Sequence, residues 1–365
     1  MQNHTHRLSP VASLLLAGLA GCAPVDGEDD RGAAVSPLQA VTAWRANVAL
    51  GHETTAATAS MLSLHDVGMS QTALVVHRGA STTNLYAGLL TSSRTTGVII
   101  PPGGDFQQLR GLGSKSRPVL ARRGNVLHMI HQGASSDALY WATLDLSRTS
   151  LAAYGHNGLW YWNNWVEVPL GLYSTASPDL VYDPVTDRLQ LVYAEGNTIW
   201  VSSSDGTTWG QPVRVAALSS LAPNTFAGLS ATMFNGALAV VGTFDLSVPG
   251  INYVPMFGYR VPLPARTNTS SPLFGTDAVM PGLTQRGPVG FAAFRGVLHV
   301  VHRGQNTSNL WWNTAASSSW NVETQVPNQS SGTQPVLGVV GNDLVMLHTG
   351  GSSAAMWASR YDDGT

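Results

Sequence analysis

The sequence predicts an all-β chain, a six-bladed β-propeller of four-stranded antiparallel blades closed by its N-terminal strand. Three observations carry that expectation. A unit of roughly fifty residues recurs along the chain. Each unit holds short apolar runs separated by Gly- or Asn-bearing turns. The chain also opens on a run of the kind that its last unit lacks.

The recurrence is clearest between Pro118-Val-Leu-Ala-Arg-Arg-Gly-Asn-Val-Leu-His-Met-Ile-His131 and Pro288-Val-Gly-Phe-Ala-Ala-Phe-Arg-Gly-Val-Leu-His-Val-Val-His302, with a third copy from Pro335 to His348. Weaker copies run from Pro178 to Tyr193 and from Gly228 to Gly242, and the first ends on Ala73-Leu-Val-Val-His77. Aligned on His77, His131, Tyr193, Gly242, His302 and His348, the copies are spaced 54, 62, 49, 60 and 46 residues apart. Within a unit, two apolar runs flank a tight turn and the second ends in His. A polar loop follows, then an aromatic run such as Ala138-Leu-Tyr-Trp141 or Asn309-Leu-Trp-Trp312. A fourth run is opened by Trp, as at Trp165, Trp209 and Trp320. Runs of four to eight residues between turn signals are strands, and four strands per unit at this period make propeller blades. Helix-pair solenoids are excluded, because the runs are too short and too often broken by Gly. The last unit stops where a Trp-led fourth strand is due, and Val41-Thr-Ala-Trp44 through Val48 supplies one at the other end of the chain. That pairing would close the ring and remove an exposed edge.

Composition agrees. Of 365 residues only 11% are charged, against roughly 25% in an average soluble chain, while 44% are hydrophobic. The net charge is −2, which excludes the basic footprint of a nucleic-acid binder. With 38 Gly and 20 Pro the chain is rich in turns, and its aromatic content argues against disorder.

The N-terminus is organised differently. His4, His6 and Arg7 precede the apolar run Val11–Leu19, too short to be a permanent membrane span. Leu19-Ala-Gly-Cys22 follows and resembles the lipobox of bacterial lipoproteins. The resemblance implies removal of residues 1–21, acylation of Cys22, a tether over residues 22–37, and a propeller domain over residues 38–365. The expected location is therefore outside the cytoplasm, lipid-anchored to the outer membrane or cell surface, with the lipid as the only membrane contact. Cys22 is the sole cysteine, so no disulfide is available to the fold.

One turn carries a second resemblance. Ser202-Ser-Ser-Asp-Gly-Thr-Thr-Trp209 is similar to the Asp-box, or BNR repeat, of sialidase-like propellers, in shortened form. The resemblance implies a turn capped by Asp205, a positive φ at Gly206, and Trp209 packed between blades. The repeated His-x-Gly and Leu-Trp-Trp segments also resemble those of secreted bacterial lectin-like propellers.

The His loops share one rim of such a fold, and His77, Arg78, His131, Gln132, His302, Arg303, Trp312 and His348 are the candidate ligand-binding residues. Neutral glycans suit aromatic faces combined with uncharged donors and acceptors. The alternative for each His is a turn-stabilising role. His128/His131 and His299/His302 lie three apart on a strand and point to opposite faces, which argues against one metal ion per pair. Trp160, Trp162 and Trp165 form a candidate platform, with inter-blade packing as the competing role. Hydrolysis of a glycoside requires two facing carboxyl groups, for which the candidates are Asp66, Asp179, Glu195 and Asp245. The strand-one Phe-Arg-Ile-Pro signature of sialidases is absent. The expected function is binding of carbohydrate or glycoconjugate without a cofactor; the alternatives are a sialidase-like glycoside hydrolase and a scaffold for a surface protein.

Overall fold

A run such as Ala73-Leu-Val-Val76, apolar and wholly buried, requires a sheet covered on both faces. The computed structural model meets that requirement with six antiparallel sheets, each standing as a blade between two neighbours. It describes residues 43–53, 59–64, 71–93, 97–99, 105–148, 165–217, 225–245, 256–265, 271–272, 288–304, 307–316 and 319–362. Cys22 with the leader and tether, Asp66, Trp160 and Trp162 lie outside the described residues.

The chain opens with β1 (Ala43–Trp44) and β2 (Val48–Glu53). Blade 1 contains β3 (Ser60–Ser63), β4 (Thr72–Arg78), β5 (Asn84–Ser93), β6 (Gly97–Ile99) and β7 (Gln107–Gly113). Blade 2 is β8 (Val119–Arg123), β9 (Val126–Gln132), β10 (Ala138–Asp145) and β11 (Val166–Tyr173). Blade 3 is β12 (Asp179–Asp183), β13 (Arg188–Glu195), β14 (Thr198–Ser204) and β15 (Val213–Ala217). Blade 4 is β16 (Thr225–Phe234), β17 (Ala237–Asp245), β18 (Met256–Pro262) and β19 (Ser271–Pro272). Blade 5 is β20 (Gly290–Phe294), β21 (Val297–Arg303), β22 (Asn309–Ala315) and β23 (Thr324–Ser330). Blade 6 is β24 (Val336–Val340), β25 (Asp343–Thr349) and β26 (Ala355–Asp362), completed from the N-terminus.

The closure expected from Trp44 is present. Ala43 and Trp44 pair with Asp362 and Tyr361, and Val48 and Ala49 pair with Ala358 and Trp357. The outer position of blade 6 is therefore shared by two short strands, and so is that of blade 1, where β6 and β7 both pair with β5. In blade 1 the intervening sequence carries Pro101-Pro102, which has no N–H to extend a ladder.

The core is divided rather than single. Six apolar clusters each lie between two adjacent blades: Leu74 and Val76 meet Leu127 and Met129 between blades 1 and 2, and Leu50, Val345 and Leu347 meet Met61 and Val75 between blades 6 and 1. Successive side chains of one strand serve successive interfaces, so both faces must be apolar. This is why the second strand of a unit reads as a continuous apolar run.

Among the named strands, strand one of each blade pairs only with strand two; in blade 4 its other edge also bridges Ser177, whose carbonyl accepts the Leu229 N–H at 3.1 Å. Its other edge faces the axis, and residues of all six first strands line one central cavity of about 660 Å³. Side chains stitch part of this ring together. The Ala231 N–H donates to Asp179 Oδ2 at 2.8 Å, Ser230 Oγ donates to the Val289 carbonyl at 2.7 Å, and the Ala293 N–H donates to Thr232 Oγ1 at 3.3 Å.

The central channel and the upper rim as candidate binding sites

Loops after strands two and four form one face, termed here the upper rim; turns between strands one and two and between three and four form the opposite face. His77, His131, His302 and His348 each stand near the upper end of strand two. All four rings are buried. In each, Nδ1 bonds the carbonyl of the following residue, at 2.9, 3.0, 3.0 and 2.7 Å respectively. A carbonyl can only accept, so Nδ1 carries the proton. Nε2 of His131 faces Glu167 at 2.7 Å, that of His302 faces Glu323, and that of His348 faces the side-chain amide of Asn47 at 3.0 Å. His77 and His131 stack on Tyr86 and Tyr140, their cross-strand neighbours in register. The rings of His131, His302 and His348 thus tie strand two to the outer part of their own blade through Nε2, while His77 packs on Tyr86 and edge-on to Phe106, and none of the four presents its ring to the rim surface.

The neighbouring motif positions act locally as well. Arg78 Nη1, Gln132 Nε2 and Arg303 Nη1 donate to the carbonyls of Lys115, Ser174 and Gly332 at 2.6, 2.6 and 2.9 Å. These carbonyls all belong to links that carry the chain to the next blade. Burial lowers the Arg78 guanidinium from its ordinary value. Gly of the His-x-Gly motif leaves room for the strand-three ring. A Cβ at Gly79 would sit 2.7 Å from Tyr86 Cε2, whereas one at Gly133 would sit 3.2 Å from Tyr140 Cε2 and 2.5 Å from the exposed Ser136 hydroxyl, which can turn away by a change of rotamer. Gly79→Ala is therefore expected to destabilise by about 1–3 kcal/mol and Gly133→Ala by less, a ranking that paired thermal melts measure directly.

His128 and His299 occupy the opposite faces of β9 and β21. His128 stacks on Trp141 and accepts its indole N–H at 3.2 Å; His299 stacks on Trp312 and accepts its N–H at 3.3 Å. Each His-x-x-His pair is thereby split between two inter-blade interfaces. Trp312 packs between blades 5 and 6 against Tyr361, and Trp165 packs on the cluster shared by blades 1 and 2. Burial lowers both His128 and His299 from 6.5 to about 4. The unfolded chain takes up these protons below about pH 6.5 while the folded chain refuses them until about pH 4. Stability contributed by these groups is complete above pH 6.5 and is lost as pH falls through that window. The unfolding temperature is expected to drop steeply there, and a His128→Gln/His299→Gln double variant, which keeps acceptors but cannot titrate, should flatten the profile.

On the lower face, Asp205 caps its turn by accepting the Thr207 hydroxyl at 2.7 Å and the N–H groups of Thr208 and Thr207, each at 2.9 Å, and these bonds, the hydroxyl's first, hold its carboxyl below the usual range. Gly206 adopts φ +87°. Trp209 meets Trp141 of the preceding blade edge-on, with ring centroids 5.8 Å apart.

The channel holds the one described charged pair at its upper mouth. Arg117, in the link before β8, and Asp179, the first residue of β12, are 3.3 Å apart and nearly buried. Arg117 also donates to the Leu229 carbonyl at 3.2 Å, and Asp179 accepts the Leu180 N–H at 2.9 Å besides that of Ala231. The pair thus joins blades 2, 3 and 4. Burial raises the Asp179 carboxyl from its ordinary value, with Arg117 and the two N–H groups opposing. Among the described residues lining the cavity Asp179 is the only carboxylate; besides Arg117, the other polar side chains are Arg122, Tyr182, Ser60, Ser63, Ser230 and Thr232. Glu195 is exposed at the end of β13, outside the lining. Asp66 lies outside the described residues, as does the side chain of Asp245.

What sequence reasoning missed was the backbone. Strand-one edges with no neighbouring strand on the channel side face the bore, and no residue type signals this; only the blade topology does.

No protein-family model matches the sequence, and neither does any curated protein. Solved structures do resemble it. A Trypanosoma rangeli sialidase in complex with the inhibitor DANA aligns with a TM-score of 0.53 at 11% identity, over 86% of this chain and 55% of that chain. A mutant of that sialidase displaying trans-sialidase activity aligns with a TM-score of 0.52 at 11% identity, over 83% and 54%. The chain spans about half the length of the sialidases it resembles. At this identity the likeness is one of fold.

Proposed function

We propose that the protein is an exported, lipid-anchored propeller that binds neutral carbohydrate or glycoconjugate in its central channel. The observation that carries this reading is the cavity of about 660 Å³ lined by six strand edges. Sugar hydroxyls donate and accept at once, which suits a bore lined by strand edges with interspersed Ser, Thr, Arg and Asp side chains. Leu62, Leu120 and Phe291 supply apolar lining for the C–H faces of a pyranose. The lipid anchor rests on Leu19-Ala-Gly-Cys22; a Cys22→Ala protein should stay unprocessed and leave the membrane fraction.

A panel of neutral oligosaccharides applied to the purified protein tests the channel. Binding should protect the inner-strand amides of β8, β12 and β20 from hydrogen exchange. Binding without that protection would move the ligand elsewhere and overturn the channel assignment.

A second reading, glycoside hydrolysis, draws on one feature: a buried acid with a raised pKa beside an arginine is a recurrent property of catalytic carboxyls. Turnover of chromogenic glycosides that disappears in Asp179→Asn would favour it over binding alone.

A further inference from the structure

Most aromatic rings described above are absorbed by packing. Tyr173, the last residue of β11, is 58% exposed and is the one aromatic among the described residues that stands largely in solvent. Its register position pairs with Ala138 at the start of strand three. The same position in blades 1, 3 and 5 holds Gly113, Ala217 and Ser330, opposite Asn84, Thr198 and Asn309. An exposed aromatic ring at this place is therefore a property of blade 2 and not of the repeat.

A second departure lies beside it. Lys115 is the chain's one lysine, and its ammonium pairs with the carboxylate of Asp137 in the loop preceding Ala138. Corresponding positions after the link serines hold Thr175 and Gly332, and those before strand three hold Thr83, Asn197 and Ser308. The place is rigid. The Ser174 N–H donates to the Asp137 carbonyl at 2.9 Å, and Arg78 holds the Lys115 carbonyl at 2.6 Å. Exposed Ser135 and Ser136 complete the loop. Folding explains neither feature: an exposed ion pair stabilises little, and a largely exposed ring buries little apolar area.

We propose that Tyr173, Lys115 and Asp137 form an outer carbohydrate subsite on the upper rim, taking one neutral pyranose of a longer glycan. This rests on the carbohydrate reading above and assigns it a second contact point. The ring offers a flat, low-entropy platform to the C–H face of a sugar. Asp137 accepts from one hydroxyl while Lys115 donates to its neighbour. The ligand is neutral because the pair is already balanced, and a charged sugar would leave one charge uncompensated. An outer subsite spaced from the channel adds avidity for oligomers over monomers.

The test compares wild type, Tyr173→Ala, Asp137→Ala and Tyr173→Trp on an array of immobilised neutral hexose and N-acetylhexosamine oligosaccharides, with thermal unfolding as the control for fold. Tyr173→Ala and Asp137→Ala should weaken binding roughly tenfold, Tyr173→Trp should preserve it, and unfolding temperatures should stay unchanged. If wild type binds and Tyr173→Ala binds equally well, the subsite is refuted while the carbohydrate reading stands. If wild type binds none of the array, both fall. A weakening that Tyr173→Trp shares in full would refute the stacking role.

Discussion

A chain beginning at residue 54 is expected to lose cooperative folding. It lacks β1 and β2, and with them the outer strand of blade 6. Trp44 and Leu50 leave the clusters on either side of that blade. The Arg45 carbonyl, which accepts from Gln329 Nε2 at 2.9 Å and Ser359 Oγ at 2.6 Å, goes as well, as does the Arg45–Asp362 ion pair. His348 loses Asn47. The β26 edge is left bare, a template for pairing between molecules. Trp44→Ala alone should destabilise by about 3–5 kcal/mol; the truncation should convert a sharp thermal transition into a broad one and the native peak in size-exclusion chromatography into aggregate. A truncated protein that melts like the whole chain would show that the ring does not depend on its closing strand.

Arg117→Ala should be the most damaging single change at the channel. Asp179 would keep its charge in a nearly dry place with its cationic partner gone, and breaking a buried pair from one side costs about 3–5 kcal/mol. The pH dependence has a definite sign. Burial already raises the Asp179 carboxyl despite Arg117, and the variant raises it further. A carboxyl with a raised folded-state value binds its proton more readily in the folded chain, so stability falls as pH rises through that range. The penalty in Arg117→Ala should therefore be greatest at neutral pH and shrink on mild acidification, and Arg117→Ala/Asp179→Asn should recover much of the loss. Melting curves across pH for the three variants would check this; a penalty independent of pH would mean that Arg117 matters through its bonds to the Leu229 and Pro178 carbonyls instead.

The fold was legible because blades repeat. Each inter-blade interface poses the same packing problem, so the sequence writes the same apolar runs each time, and Trp44 announced its place by resembling the Trp that opens other fourth strands. The site was legible only in part, for the same reason inverted. His77, His131, His302 and His348 recur because every such blade needs the same internal link, and repetition there reflected construction. Their partners Glu167, Glu323 and Asn47 stand up to 301 residues away; the signal available was the acidic residue shortly after Trp165 and Trp320. Tyr173 is distant in sequence from Lys115 and Asp137, and its place across the ladder from Ala138, beside Asp137, is read only when register is known. Asp179 is legible as an acid at a strand start, but that Arg117 faces it follows from the ring.

The closing blade also sets the order in which the molecule can be completed. Its outer strands are the first parts of the propeller to be synthesised, and β26 is the last. Blades 1 to 5 can assemble as the chain emerges, each on its predecessor, but the nascent protein keeps an open seam, and β1 and β2 wait for their partner until β26 is made. Contacts of such long sequence separation form late and slowly. A propeller sealed in this way stays an open ring until β26 has been made and β1 and β2 can pair with it.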